Sequence, residues 1–176
     1  PSFSEELVRL ILDEASLGFN WSEISPTIFG AVFEATLNPI TRRSGGMHYT
    51  SISNIHKVIN PLFLDDLRQE FEEIKKRPKS DSWRTKYLKA FQEKLANMKF
   101  LDPACGSGNF LTETYLSLRR LENSVIRELN DEIMAGQLRL AVDTQALQNI
   151  KVSIMQFYGI EINDFAVTVA KTALWI

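Results

Sequence analysis

The 176-residue sequence predicts an α/β fold in which a mainly helical region, residues 1–98, precedes a shorter part, residues 99–176, built on two parallel strands. Two observations carry this. Twice in the second part a short apolar run meets turn-forming residues and then a helical stripe. Phe100-Leu101 enters Asp102-Pro103-Ala104-Cys105-Gly106-Ser107-Gly108 and the stripe Leu111, Leu118, Leu121, Val125 and Leu129 follows. Phe157 to Ile162 stops at Asn163-Asp164, both good caps, before Ala166, Val169, Ala170, Ala173 and Leu174. A strand–helix–strand–helix order calls for parallel strands joined by a right-handed crossover. The first part, in contrast, reads almost wholly at helical spacing.

Its elements follow in order. Leu7, Leu10 and Ile11 form a short stripe behind Ser4-Glu5-Glu6, and Ile24, Ile28, Phe29, Val32 and Phe33 form a second that ends near Asn38-Pro39. Thr41 to Ser51 is the most loop-like stretch, with Gly45-Gly46 freeing the backbone. A long third stripe runs through Ile52, Ile55, Ile59, Leu64, Leu67, Phe71 and Ile74, interrupted or kinked at Pro61. A basic stretch over 75–99 is read as a basic helix, in which Trp83, Tyr87, Phe91, Leu88 and Leu95 fall at helical spacing behind the cap cluster Ser80-Asp81-Ser82. An amphipathic helix with its aromatics in the core and its lysines in solvent is the ordinary reading of such a stripe.

Composition narrows the class. Hydrophobic residues make up 44% and charged residues 24%, which excludes disorder, collagen-like repeats and a whole-chain coiled coil. No apolar run approaches the ~20 residues of a bilayer span. A single cysteine, Cys105, rules out an internal disulfide, and a reducing cytoplasmic setting is expected. Pro1 follows no initiator Met and the last stripe continues to the final residue, so the chain reads as a piece of a longer protein, its sheet cut after two strands. The net charge of −2 hides three blocks: −6 over residues 1–74, +7 over 75–99 and −3 over 100–176. The basic block, beginning Lys75-Lys76-Arg77-Pro78-Lys79, is a candidate phosphate-facing surface.

The glycine turn is where chemistry can be argued. Glycines at a strand-to-helix junction let the backbone approach a ligand and point its amides at it, and the helix start favours anionic groups. Asp102 stands just ahead of the turn and Glu161 at the end of the second strand. An acid at that strand end suits the two hydroxyls of a ribose, and Asp102 suits an ammonium. Ammonium, carboxylate and ribose diol together describe S-adenosylmethionine better than NAD, and Leu111 stands where a dinucleotide fingerprint has its third glycine. Asp102 and Glu161 are 59 residues apart where a compact unit has about 20, so an insertion is expected over Asn123 to Ser153.

These residues support a resemblance. Phe100 to Leu111 (FLDPACGSGNFL) resembles motif I of amino-methylating DNA methyltransferases, and Phe157 to Asn163 (FYGIEIN) resembles their motif II. With Phe29 to Glu34, Arg42 to Ser51, Asn60 to Asp65 and Ala173-Leu174-Trp175, the set is similar to the MmeI-like branch of restriction-modification methyltransferases over nearly the whole chain. The resemblance implies a Rossmann-like class I S-adenosylmethionine-dependent fold. It implies that Asp102 binds the methionine end of the cofactor, that Pro103, Ala104, Cys105, Gly106 and Gly108 belong to the loop around its amino-acid moiety, that Glu161 holds the ribose hydroxyls, and that Ile162, beside Asn163, flanks the adenine. Tyr49 and Thr50 correspond to motif X, within the segment 41–60. Motif X ahead of motif I is the gamma-type order shared with adenine-N6 enzymes. The implied partner of the whole protein is double-stranded DNA, with contact by Lys75, Lys76, Arg77 and Lys79 expected to be weak.

The pattern also departs from the family. The Asn/Asp-Pro-Pro-Tyr/Phe motif that engages a flipped base is not in this sequence. Asn60-Pro61-Leu62-Phe63 imitates it but precedes motif I, lacks the second proline and continues a helical stripe, so no catalytic residue is assigned. Cys105 has no partner histidine nearby, His48 and His56 form no metal set, and Glu73-Ile74-Lys75 ends a helix rather than a nuclease strand. Two other classes stay open at this point: a methyltransferase fragment acting on an amine of RNA or protein, and a non-enzymatic helical module that binds nucleic acid through residues 75–99.

Overall fold

A computed structural model describes residues 3–18, 50–78, 82–136 and 150–175. The expected stripe at 24–33, Tyr49, His48, Lys79 and the cap residues Ser80 and Asp81 lie outside the described residues. Six helices and two strands make an α-rich architecture among those that are described: α1 (Glu5–Arg9), α2 (Ile52–Ile59), α3 (Asp65–Lys75), α4 (Ser82–Asn97), β1 (Phe100–Asp102), α5 (Asn109–Gly136), β2 (Phe157–Gly159) and α6 (Asp164–Trp175). Ser4 caps α1, accepting from the Leu7 N–H at 3.3 Å, and a π-helical stretch, Leu10–Leu17, extends it.

The kink expected at Pro61 is a π-helical turn, Asn60–Leu64, that joins α2 to α3 without a break. The spacing of the stripe explains it. Ile55 and Ile59 are four residues apart, but the next buried position, Leu64, comes five later, after which Leu67, Phe71 and Ile74 resume the ordinary alternation of three and four. A wider turn absorbs the extra residue and returns the apolar side chains to one face, and it also suits a proline that has no N–H to give.

In α4 the structure corrects the expected face. Leu88, Phe91 and Leu95 are buried as predicted, but Trp83 and Tyr87 are 55% and 40% exposed. Arg84 takes the inner position, and its Nη2 lies 2.5 Å from Glu128 Oε2 on α5. The inner line of α4 is therefore 84, 88, 91, 95, which keeps Phe91 of the aromatic ladder and leaves Trp83 and Tyr87 outside. A charged residue can hold that line because its guanidinium reaches a carboxylate on the facing helix.

β1 and β2 pair in parallel, Phe100 opposite Phe157, Leu101 opposite Tyr158 and Asp102 opposite Gly159. One face of this pair joins the main core: the Phe100 and Phe157 rings stack at 5.2 Å between centroids, and Tyr115 of α5 meets Phe157 edge-on. Leu101 and Tyr158 project from the other face and are exposed. β2 is shorter than the expected run, ending at Gly159 rather than Ile162.

The first part of the region expected to hold an insertion is helix. α5 runs unbroken through Asn123 to Gly136, because Val125, Ile126 and Leu129 continue the stripe of Leu118 and Leu121. Part of the long spacing between Asp102 and Glu161 is thus a long helix, and residues 137–149 lie outside the described residues. The chain returns to β2 through a 3-10 turn, Ile154–Gln156, closed by a capping box of Ser153 and Gln156. Gln156 Nε2 donates to the Leu95 and Met98 carbonyls, both at 2.8 Å, tying the entry of β2 to the end of α4. Fully buried Glu122 of α5 anchors the same stretch: it accepts from Gln92 Nε2 at 2.9 Å, from the Lys151 N–H at 2.7 Å and from the Val152 N–H at 3.1 Å, and it pairs with Arg119. No helix is long and apolar enough to cross a membrane among the described residues.

Candidate cofactor site

The turn after β1 is stitched to the end of β2. The Ile160 N–H donates to the Asp102 carbonyl at 2.9 Å, and the Cys105 N–H donates to the Ile160 carbonyl at 3.0 Å. Within the turn, the Ala104 N–H donates to Asp102 Oδ1 at 3.1 Å and the Gly108 N–H to the Cys105 carbonyl at 2.8 Å. Glu161 closes the arrangement from the other strand. Its Oε2 accepts from the Gly106 N–H at 3.0 Å, while Oε1 accepts from the Ile162 and Asn163 N–H groups at 2.8 and 2.9 Å. The two acids singled out in the sequence are thus brought to one turn, each holding its backbone.

Three glycines make this approach possible, for different reasons. Gly106 and Gly108 have φ of +54° and +79°, a region that L side chains rarely enter. A Cβ on Gly106 would meet nothing within 4 Å, so its free side is open to a ligand. A Cβ on Gly108 would lie 2.8 Å from Ala170 Cβ, so this glycine lets α6 pack on the turn. Gly159 has no positive φ but would drive a Cβ to 2.6 Å from Cys105 Sγ.

The other candidates fall as follows. Pro103 and Ala104 are exposed, and Ile162 is 92% exposed beside Glu161. Asn163 faces the other way: its Oδ1 accepts from the Phe165 and Ala166 N–H groups at 3.0 and 3.1 Å, capping α6. Thr50 is half-buried just before Ser51, which caps α2, and α2 packs through Ile55 and Ile59 with Phe110 at the start of α5. Asn60-Pro61-Leu62-Phe63 is used structurally, with Phe63 against Phe100 and Asn60 held to His56. No set of three metal-ligating side chains occurs among the described residues.

The Cys105 thiol is pushed up from its ordinary pKa, first by burial and then by the negative charges of Asp102 and Glu161. It stays protonated, and a thiol is a poor nucleophile. Iodoacetamide is therefore expected to alkylate Cys105 more slowly at pH 8 than a free cysteine. The rate should rise in Glu161→Gln, which removes one of those charges, and mass spectrometry of the labelled peptide checks both.

The basic block is less basic in space than in sequence. Lys75 and Lys76 pair with Glu72 and Glu73 one turn back, and Lys94 reaches Glu70 on α3. Arg77 lies over the Tyr87 ring at 4.3 Å and Lys86 over Trp83 at 4.4 Å. Sequence reasoning missed the polar side chains that hold the interior, Arg84, Glu113 and Glu122. The available signal was that each lies on, or beside, an apolar stripe.

Known proteins resemble the chain over nearly its whole length. A family model described as the DNA-methyltransferase domain of MmeI matches residues 71–176. DNA methyltransferase A of Bacillus subtilis (strain 168) is 44% identical over 174 residues, which cover 99% of this chain and 18% of that protein. The solved structure of the type IIL restriction-modification enzyme MmeI in complex with DNA superposes with a TM-score of 0.80 at 42% identity, covering 99% of this chain and 21% of that one. The chain spans about a fifth of the length of these relatives.

Proposed function

Since the chain belongs to the MmeI DNA-methyltransferase domain family, we propose that it forms the S-adenosylmethionine-binding part of a DNA adenine-N6 methyltransferase of a restriction-modification system. The observation that carries the reading is the closure of the Asp102 turn on Glu161 through the Gly106 N–H. The fold we assign is Rossmann-like, with β1 and β2 as its first two strands.

The residues present fit the cofactor. The open side of Gly106 admits a ligand against bare backbone, and carboxylates flank it at both strand ends. Asp102 Oδ2 is the oxygen left for an ammonium once Oδ1 holds the turn. Glu161 offers a carboxylate to a ribose diol, and exposed Ile162 offers an apolar surface to an adenine. Bound there, S-adenosylmethionine supplies an electrophilic methyl group on a sulfonium. The turn fixes where that group points, and orientation of this kind is a large part of any transfer between two bound partners. Double-stranded DNA is the proposed partner of the whole protein. Within this chain Lys75, Lys76, Arg77 and Lys79 contribute at most a minor share, since two of them are held by Glu72 and Glu73.

Titration calorimetry of the full-length protein tests the reading. S-Adenosylmethionine and S-adenosylhomocysteine should compete for one site, and Asp102→Ala and Glu161→Ala should each weaken binding about tenfold or more, the size of a lost charge-assisted hydrogen bond. Unchanged affinity in both variants would overturn it.

A further inference from the structure

One polar contact between α2 and α5 has no part in the turn. His56 Nε2 lies 2.9 Å from Oε1 of Glu113, whose side chain is 2% exposed, and His56 Nδ1 lies 3.0 Å from Asn60 Oδ1. Among the described residues Glu113 has two other partners, both longer: Arg120 at 3.3 Å, itself 67% exposed, and Ser117 at 3.5 Å. Glu113 stands five residues beyond Gly108, in the second turn of α5, and α2 begins two residues after Thr50.

We propose that His56 and Glu113 are a positioning pair, which fixes α2, and with it the Thr50 segment, against the helix that starts at the glycine turn. The inference rests on the cofactor reading above, because Thr50 and α2 are the described part of the motif X-like segment. Ile55, Ile59, Leu64 and Phe110 already press the two helices together, but apolar contact is non-directional and tolerates sliding. A hydrogen bond to a buried carboxylate does not, since a shift of about 1 Å leaves the carboxylate short of its nearest partner. The second ring nitrogen carries the constraint on to Asn60, so the π-helical turn, α2 and α5 share one arrangement.

The chemistry of the ring gives a selective test. The amide nitrogen of glutamine falls near the position of Nε2 and can donate to Glu113, whereas asparagine is too short to reach it. In the full-length protein, His56→Asn is expected to raise the dissociation constant for S-adenosylmethionine about tenfold, and His56→Gln to stay within about twofold of the parent. Hydrogen exchange of the Ile52–Ile59 amides should accelerate about tenfold in His56→Asn alone. Equal weakening by both substitutions, or normal affinity and exchange in His56→Asn, overturns the proposal. A parent protein with no affinity for the cofactor overturns the cofactor reading instead. The exchange measurement still judges the pair in that case, because unchanged protection in His56→Asn rejects it.

Discussion

Glu122→Ala is expected to destabilise the protein by about 3–5 kcal/mol, the cost of removing one partner from a buried charged network. The side chain is fully buried and gathers contacts from three parts of the chain: Gln92 of α4, Arg119 of its own helix, and the Lys151 and Val152 N–H groups on the way into β2. Alanine would leave the buried Val152 N–H without its carboxylate acceptor and take away one acceptor each from Gln92 and Arg119, and an unsatisfied buried N–H alone costs about 1–3 kcal/mol. Glu122→Gln keeps Oε1 for Gln92 and the two backbone N–H groups but turns an NH2 donor toward Arg119 in place of Oε2, losing that hydrogen bond as well as the charge, so about 1–3 kcal/mol is expected. Urea unfolding of the three proteins measures the difference. A loss below 1 kcal/mol in Glu122→Ala would show that water or a neighbour replaces the carboxylate.

Gly108→Ala should have an effect of similar size, and Gly106→Ala a much smaller one. Both residues sit in the left-handed region, which costs an L side chain about 1–2 kcal/mol. Only at Gly108 would the new methyl also meet backbone, 3.1 Å from Ala170 Cα and 2.8 Å from its Cβ. Forcing α6 away adds about 1–3 kcal/mol of overpacking, giving about 2–5 kcal/mol in all. Ala170→Gly introduced beside Gly108→Ala should return part of the loss, although glycine inside α6 itself costs about 1 kcal/mol. Denaturation midpoints of the two single variants and the double variant form a cycle, and no coupling in it would refute the contact.

What the sequence made legible is what lies close along the chain. Asp102 to Gly108 is one continuous turn, Asn163 caps the next helix from the adjacent position, and strand, turn and helix follow one another without interruption. The 59 residues between Asp102 and Glu161 called for an insertion, and the stripe through Val125 and Leu129 made its first part legible as helix. In α4, Leu88, Phe91 and Leu95 were legible as core, whereas Trp83 and Tyr87 are exposed and Arg84 goes inside, where it meets Glu128, 44 positions away. His56 with Glu113 is the same case at 57 positions. Partners that distant leave no local pattern, and a buried charge is interpretable only once its partner is known.

The carboxylate of Glu161 gives the glycine turn a ligand of its own. With the Gly106, Ile162 and Asn163 N–H groups already satisfied, the turn is organised before anything binds, and little ordering entropy remains to be lost there. For an acceptor, the same contact makes binding an exchange. A group that claims the Gly106 amide must displace an anion, whereas a donor can add to Glu161 Oε2, which has a second lone pair beside the one that Gly106 uses. The turn as built therefore favours a hydroxyl or ammonium over a second anion, since a donor adds a hydrogen bond where an acceptor only exchanges one.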